Sequence, residues 1–442
     1  MMMISLEGNV GTSPIEVFLV TFFVPASSLL MLIISSIFYS DKIFVYLEVV
    51  ILNVVLLLIL TSFSDHLLLL FIIYIILLAF AFWFAFHKFT FREINLKIKD
   101  WAKEKDVNRS YIGDYRGHLL LATSICILAV DFRIFPSKFA KTEMFGWSVM
   151  DAGVGSFVLL HGLCSAHGKQ LKENSMKKCF KTSFPLLILG FLRLALTTSV
   201  GYHKVVQEYG IHWNFFFTLA FTKVMCSSIL AIFKVNAGLL AVIIVIIHQF
   251  LLTKLGLSDF VSSPERRNLL EANKEGICSL LGFVSLYFFG VQLGHVAWGK
   301  KDYCYLLVKL CCLGLCGWIL MLIFHENCQH VSRRMANLSY CIWIVSLTSL
   351  QISLHLCHFL IVDIIKKLLK VKLHENLLWN VLNYNGLFYF LLANLMTGLV
   401  NITINTADTS NSKSLCILFM YLTILFGSSF ILFKLNIKFL RF

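Results

Sequence analysis

Long apolar segments alternate with short polar ones along the whole chain, and this pattern predicts membrane-spanning helices. A helix needs about 20 apolar residues to cross the hydrocarbon core of a bilayer, and about thirteen such segments occur here. We therefore predict an all-α protein, a polytopic transmembrane helical bundle of about 13 spans that forms one domain over residues 1–442. The predicted spans centre near Leu30, Val54, Ile75, Ser124, Val158, Phe191, Ala220, Val245, Phe283, Leu313, Ser346, Phe390 and Thr423.

Three of the predicted spans are less regular than the others. One is short and closed by Asp131, one is interrupted by Arg193, and one carries Lys223. A charged side chain inside a membrane is costly unless it is paired, so each of these residues is a functional hypothesis with a structural ion pair as the alternative. For Arg193, Asp151 and a phosphate group are the candidate partners.

The basic residues predict the orientation, because cytosolic loops of membrane proteins carry an excess of Lys and Arg. With the N-terminus outside the cytosol, the cytosolic segments hold about 24 of the 38 basic residues and the opposite loops about 11. We therefore predict a luminal N-terminus and a cytosolic C-terminus. The cytosolic segments are then 88–116, 169–181, 300–301, 366–372 and 434–441, together with Lys42 and Lys234.

This orientation also bears on possible processing of the chain. The sequon Asn401-Ile-Thr403 falls in a luminal loop close to the membrane and is a candidate glycan acceptor, whereas Asn108-Arg-Ser110 is cytosolic and should stay unmodified. Residues 1–16 contain no Lys or Arg and so lack the basic region of a signal peptide. We expect the first span to act as an uncleaved anchor.

Composition excludes the soluble alternatives. Hydrophobic residues make up 58% of the chain, the mean hydropathy is +0.81, and only 14% of residues are charged, against about 25% in a typical soluble domain. A cytosolic enzyme, a disordered chain and a secreted disulfide scaffold do not fit these values. The net charge of +14 is explained by topology and anionic lipid headgroups, because no basic patch interleaved with aromatic residues suggests nucleic-acid binding.

The sequence lacks the common motifs for nucleotide binding, metal binding and serine-hydrolase catalysis. It contains no nucleotide-binding P-loop, no zinc-protease motif and no serine-hydrolase elbow. The thirteen Cys are scattered, mostly inside apolar runs, without the paired spacing of a zinc site. His355 and His358 share one helix face, but no acidic residue is near them in sequence, so paired or solvated histidines are the preferred interpretation. We predict no metal and no cofactor.

One segment, residues 129–146, stands apart from the apolar background. Asp131 ends a span, Pro136 should break regular structure, and Lys141 follows on the same predicted luminal side. An acid and a base at the membrane boundary, flanked by aromatic rings, could hold a lipid headgroup and an acyl chain together. The alternative is an interfacial salt bridge with aromatic anchoring. The small residues that follow Asp151 allow close helix approach.

A second polar cluster is the stretch 209–214, just before a run of three Phe. His212 and Asn214 can donate and accept hydrogen bonds at a luminal membrane edge, and Trp213 can lie at headgroup level. The alternative is an aromatic-belt anchor without a role in binding.

Both segments resemble the signature of the GPI inositol acyltransferases, known as PIG-W in animals and as GPI-anchored wall transfer protein in fungi. The resemblance covers essentially the whole chain, including the N-terminal stretch 5–16, and about thirteen spans with a luminal N-terminus is also the family's arrangement. The matching motifs are Val130-Asp-Phe132, Ile134-Phe-Pro136, Phe139-Ala-Lys-Thr-Glu143, Met150-Asp-Ala-Gly-Val-Gly155, Gly190-Phe-Leu-Arg193 and Glu208-Tyr-Gly-Ile-His-Trp-Asn-Phe-Phe-Phe217.

Two departures from the family pattern stand out, one at a single position and one at two neighbouring positions. Arg133 replaces the usual Pro, which loosens the loop geometry. Ser137 and Lys138 replace the usual pair of Arg, which weakens any assignment of two guanidinium groups to a phosphate there.

The resemblance implies a specific reaction. Such enzymes transfer a fatty acyl group, typically palmitoyl, from acyl-CoA to the inositol ring of glucosaminyl-phosphatidylinositol. The transfer is an early step of GPI-anchor synthesis in the endoplasmic reticulum membrane. The family's essential acid and lysine match Asp131 and Lys141. Acyl-CoA would be a co-substrate, and the partners would be the two lipids and the surrounding membrane, without nucleic acid.

The chemistry of this reaction suits those residue types. A hydroxyl is a poor nucleophile and needs a base as it attacks a thioester, and Asp131 is the candidate base. Lys141 is the candidate for stabilising the oxyanion, with coenzyme A binding as its other possible role. Substrate-binding candidates are Phe132, Phe135, Phe139, Glu143, Asp151, Arg193, His212, Trp213 and Asn214.

Two other classes of function stay open at this stage. A secondary transporter could use Asp131, Arg193 and Lys223 as a proton or substrate path. A non-enzymatic scaffold in a membrane complex would not need Asp131 or Lys141 at all.

Overall fold

A computed structural model describes residues 8–38, 41–87, 89–102, 109–171, 176–199, 206–233, 235–299, 302–369 and 376–439. These residues form α-helices and short 3-10 turns without a β-strand. The helices are α1 (Pro14–Phe38), α2 (Asp41–Leu60), α3 (Leu67–Phe86), α4 (Phe91–Ala102), α5 (Ser110–Ala129), α6 (Val149–Leu163), α7 (Met176–Ser199), α8 (Val206–Tyr209), α9 (Phe215–Ile232), α10 (Ala237–Lys254), α11 (Leu257–Ser262), α12 (Leu269–Ala272), α13 (Lys274–Cys278), α14 (Leu280–Ala297), α15 (Tyr303–Asn327), α16 (Leu338–Leu369), α17 (Leu377–Tyr384), α18 (Gly386–Thr403) and α19 (Asn411–Lys434).

The prediction of an all-helical, multi-span protein is confirmed. In the part of the chain that the structure describes, ten helices are long and apolar enough to cross a membrane. All thirteen predicted span centres lie within α-helices, and the three beyond those ten are in α5, α6 and α7. The count of thirteen and the luminal position of the N-terminus stay predictions. Asn108, Lys234 and residues 300–301 lie outside the described residues, as do parts of the other predicted basic loops.

Helix α16 forms the centre of the bundle. It packs against α1, α5, α6, α14 and α15, and Tyr340, Trp343 and Ile344 are completely buried along it. Helix α3, by contrast, is apolar all round and leaves most of its large side chains exposed. A helix that is hydrophobic on every side and yet uncovered fits contact with lipid rather than with water.

Glycines let α6 and α14 approach each other closely. A Cβ atom on Gly290 of α14 would lie 2.0 Å from the Leu159 carbonyl oxygen, and one on Gly162 of α6 would lie 2.1 Å from the Tyr287 carbonyl oxygen. The backbones therefore touch directly, as small residues permit between membrane helices. This contact lies in the last turns of α6 and holds that end of the helix against α14.

Candidate active site

The loop between α5 and α6, residues 130–148, is the centre of the candidate site. Three aromatic side chains, Phe132, Phe135 and Phe139, are buried in the main apolar core. The rings of Phe135 and Phe139 meet edge to face, with centroids 6.4 Å apart. Pro136 precedes a single 3-10 turn. The aromatic residues thus anchor an irregular loop to the bundle. In this structure they pack against the protein, and their contact with substrate stays a prediction.

The described N-terminal residues lie across this loop. The Asn9 side-chain amide donates to the carbonyl oxygens of Ser137 at 2.9 Å and Lys141 at 3.1 Å, and the Glu143 backbone N–H donates to the Asn9 carbonyl at 3.0 Å. Gly11 and Gly146 both have positive φ, and a Cβ on Gly146 would lie 2.0 Å from the Val10 carbonyl oxygen. Glycine is therefore required where the two segments cross.

Asp151 ties the loop to α16 and its preceding turn. Its carboxylate accepts hydrogen bonds from the Thr142 N–H at 3.0 Å and hydroxyl at 2.7 Å, and from Arg333 Nε at 2.5 Å. The Asp151 carbonyl accepts the Tyr340 hydroxyl at 2.8 Å. Asp151 and Arg333 are both buried, so removal of either would strand a charge, at a cost of about 3–5 kcal/mol. Asp151 was also a candidate partner for Arg193, but the structure pairs it with Arg333.

Lys141 is held by an acid that the sequence did not single out as its partner. Its Nζ lies 2.6 Å from Oε1 of Glu208 in α8, and both side chains are largely buried, at 24% and 19% exposed. Burial opposes ionisation of the Glu208 carboxyl, but the cations of Lys141 and Arg333 outweigh it, and the pKa of Glu208 is lowered. An ammonium has three donors, so Lys141 keeps two beyond this bond.

Asp131 has a neutral partner. Its Oδ2 accepts a hydrogen bond of 2.8 Å from Nδ2 of Asn401, near the end of α18. Burial raises the pKa of the Asp131 carboxyl, and the bond from Asn401 lowers it by a smaller amount. Among the described residues no ion pair joins Asp131 to Lys141. The interfacial salt bridge considered from the sequence is therefore not the arrangement found.

The ends of α5 and α18 and the starts of α6 and α16 thus meet at one end of the bundle, which we call the site end. Its residues are Asp131, Asn401, Lys141, Glu208, Asp151 and Arg333.

The 209–214 stretch borders the site end, and most of its polar groups stabilise the fold. Asn214 caps α9 by accepting from the N–H groups of two Phe, and its amide donates to the Gly190 carbonyl at 2.9 Å. The Trp213 indole donates to the Thr218 hydroxyl at 2.9 Å and stacks on Phe221. His212 is fixed through its backbone N–H, which donates to Asn273, while its side chain is exposed. His212 is therefore the residue of this stretch best placed to meet a ligand.

The remaining predicted binding residues lie around this centre. Arg193, on α7, is exposed, and its charge acts on Glu208. Glu143 accepts the Gly8 N–H at 2.7 Å.

The two departures from the family pattern have structural partners. Arg133 forms an exposed ion pair with Asp408 at 3.3 Å. Lys138 lies 3.2 Å from Glu16 and 3.1 Å from Asp65, so it links the loop to α1 and to the turn before α3.

The paired histidines lie elsewhere in the bundle. His355 faces His118 at 3.2 Å, and His358 faces the Ser28 hydroxyl at 3.1 Å. Within the described ranges no group of three or more His, Cys, Asp or Glu is arranged to hold a metal ion.

Several residues of the site end escaped sequence reasoning. Glu208 and Asn401 belonged to recognised segments, the first inside a matching motif and the second inside a sequon, but nothing in the sequence pairs them with Lys141 and Asp131. Arg333 and Tyr340 carried no signal at all, because their role depends on the packing of α16 against α6.

A bundle of long apolar helices with an irregular, charged loop at one end defines a polytopic membrane protein with a polar site at that end. The model of the GWT1 family matches residues 5–432, and the chain belongs to that family.

The curated relatives agree with this assignment. GPI-anchored wall transfer protein 1 of Yarrowia lipolytica is 34% identical over 76% of this chain and 76% of its own length. The protein of the same name from Schizosaccharomyces pombe is 38% identical over 70% of this chain and 69% of its own. Glucosaminyl-phosphatidylinositol-acyltransferase PIGW of Homo sapiens is 34% identical over 72% and 71%.

Proposed function

We propose that this protein is a glucosaminyl-phosphatidylinositol acyltransferase of GPI-anchor biosynthesis. It would transfer a fatty acyl group, typically palmitoyl, from acyl-CoA to the inositol ring of the acceptor lipid. Family membership over residues 5–432 and the names of the relatives support the reaction. The structural observation that supports the proposal is the environment of Asp131. Its carboxyl group is partly buried and accepts a hydrogen bond from the neutral amide of Asn401.

Asp131 suits the part of a general base. Burial raises the pKa of its carboxyl toward the working pH, and the carboxylate is not neutralised by an ion pair with a described residue. In the proposed step Asp131 accepts the proton of an inositol hydroxyl while the hydroxyl oxygen forms a bond to the thioester carbonyl carbon. The carbon–sulfur bond then breaks, and the leaving thiolate takes the proton from Asp131. The products are the acylated inositol and free coenzyme A.

Lys141 suits the stabilisation of negative charge. Its bond to Glu208 uses one donor of the ammonium and leaves two for an oxyanion or for the phosphates of coenzyme A. Phosphate recognition by the substrate lipid falls to Arg193 and His212, which are exposed near this end.

The other predicted binding residues take supporting parts in this proposal. Asp151, Asn214 and the buried Phe residues hold the loop geometry, while Glu143 fixes the N-terminal segment. Trp213 stabilises α9 through the hydrogen bond from its indole N–H to the Thr218 hydroxyl. The reaction needs no metal or cofactor. We place the protein in the endoplasmic reticulum membrane on the strength of the family resemblance. The basic-residue distribution supports a luminal position of the site end.

A direct assay tests this function. Membranes that express the chain and lack the endogenous enzyme receive acyl-CoA and glucosaminyl-phosphatidylinositol, and the lipids are analysed by mass spectrometry. We expect a product heavier by one acyl group from the wild type and at least a hundredfold less from Asp131→Asn, because general-base catalysis contributes about 10²–10⁴-fold. Asp408→Asn, an exposed aspartate at the same end, serves as the matched control and should retain full activity.

The outcomes separate the assignments. Product from both variants would remove Asp131 from the catalytic centre while keeping the enzyme. No product from correctly folded wild-type protein would contradict the acyltransferase and favour the transporter or scaffold hypothesis.

A further inference from the structure

The contact between Asp131 and Asn401 joins two distant parts of the chain at the site end. Asn401 lies on α18, two residues before its last residue, and its Nδ2 donates to Asp131 Oδ2 at 2.8 Å. Because an ionised carboxylate only accepts hydrogen bonds, the amide must present its N–H groups toward Asp131. The bond therefore fixes the direction of both side chains.

The other end of the same amide is unsatisfied. Oδ1 of Asn401 is buried and has no hydrogen-bond partner among the residues that the structure describes. A buried acceptor without a partner is destabilising, and such groups in native proteins call for an explanation. This one lies beside a carboxylate with a proposed catalytic task, so a ligand donor is the simplest partner for it.

We propose that Asn401 is a positioning residue for Asp131 and that its Oδ1 binds a hydroxyl of the acceptor. The amide and the carboxylate together form a site for two neighbouring hydroxyls of a polyol ring. The attacking hydroxyl donates to Asp131, and an adjacent hydroxyl donates to Asn401 Oδ1. This inference rests on the proposed function, since it assigns the orientation of the acceptor in the same site.

The charged side chains at the site end form ion pairs with residues other than Asp131. Arg133 pairs with Asp408, which also accepts from Asn405 at 2.6 Å, and Lys141 pairs with Glu208. The Tyr421 hydroxyl of α19 donates to the Ser124 carbonyl of α5 at 2.9 Å. Asn401 is therefore the only described side chain that hydrogen-bonds Asp131, and its removal should act on the Asp131 carboxyl directly.

The same geometry bears on the Asn401 sequon. A glycan would be attached to Nδ2, the atom that donates to Asp131 in a partly buried setting. We infer that Asn401 stays unmodified in the active protein and that the sequon is a by-product of a residue needed for another reason.

The test measures the pH dependence of the initial rate for Asn401→Ala, Asn401→Asp and Thr403→Ala. Loss of the amide donor raises the pKa of Asp131, so the acid limb of the profile should move by about one pH unit toward higher pH in Asn401→Ala. In Asn401→Asp a second carboxylate beside Asp131 should move that limb further. The KM for the acceptor lipid should rise about tenfold in Asn401→Ala, while the KM for acyl-CoA stays constant.

Thr403→Ala is the matched control, because it destroys the sequon without touching the amide. The Thr403 hydroxyl donates to carbonyls of its own helix, so both the rate and the gel mobility should equal those of the wild type. An unchanged acid limb in Asn401→Ala, equal rises in both KM values, or a glycan on Asn401 of active protein would each overturn the inference. If Asn401→Ala fails to fold, the near-isosteric Asn401→Asp tests the inference instead. An acid limb in that variant that stays at the wild-type pH would overturn it. Absence of product from the wild type would instead contradict the proposed function.

Discussion

Single residues at the site end act through partners that are far away in the sequence. Lys141 and Glu208 meet across 67 positions and Asp131 and Asn401 across 270. Each pair combines one group with proposed chemistry and one group that sets its charge or direction. The site thus includes more than the two residues that match the family's essential acid and lysine, and variants of the partner residues test their roles directly.

We expect Glu208→Gln to weaken the reaction through Lys141. The substitution keeps the side-chain shape but removes the charge that pairs with the ammonium at 2.6 Å. Initial rates of Glu208→Gln, Lys141→Ala and the double variant form a cycle, and coupling of about 1–2 kcal/mol is expected for two groups that act as a pair.

A matched variant controls for a general effect of removing a negative charge. Glu265→Gln removes an exposed carboxylate that is paired with Arg267, and its rate should equal that of the wild type. Additive effects of Glu208→Gln and Lys141→Ala would show that the pair has no shared role.

At the scale of elements, the closest helix contact is set by glycine. We expect Gly290→Ala to destabilise the protein by about 1–3 kcal/mol, because the new methyl group would overlap the Leu159 backbone carbonyl, which cannot move freely. Thermal unfolding in detergent measures this effect. Gly427→Ala, on α19 with nothing within 4 Å of the new atom, is the control and should be neutral or slightly stabilising. Equal midpoints for the two variants would mean that α6 and α14 can separate without loss.

The long helices could be predicted from sequence because a bilayer imposes their length and apolar character. Every predicted span centre lies in a helix, including the one near Ser124, whose charged first half keeps α5 outside the ten clear candidates. The short helices α8, α11, α12 and α13 were not predicted. They are too brief to show a periodic pattern, and packing against neighbours stabilises them.

The site was predictable only in part, because the sequence pattern reveals unusual residue types but does not reveal tertiary contacts. Asp131 and Lys141 stood out because charge is rare in an apolar chain. Arg333 did not, since it lies in a polar turn where a basic residue is unremarkable. Its burial against Asp151 follows from the three-dimensional path of α16, which periodicity does not reveal.

For the whole molecule, the central expectation is its orientation in the membrane. Cys304 is the second residue of α15 and Cys328 directly follows its last residue, so the two lie at opposite ends of the helix, and both are exposed. In sealed microsomes a membrane-impermeant maleimide should reach Cys304 from the cytosolic side, as the predicted topology requires. Cys328 should react only after the membrane is permeabilised.

Cys304→Ser and Cys328→Ser identify which label belongs to which position. Each variant should lose one label and keep the other. Labelling of Cys328 in sealed vesicles, with Cys304 protected, would reverse the predicted orientation and place the site end in the cytosol.

The buried pair of Asp151 and Arg333 has a consequence for how such proteins can diverge. The two residues are 182 positions apart and share one hydrogen bond in the interior. A lineage that loses one of them is left with a destabilised protein, so a second substitution at the other position must follow soon or arise together with it. Relatives are therefore expected to carry both residues or neither, and a chain with only one would be under pressure to revert.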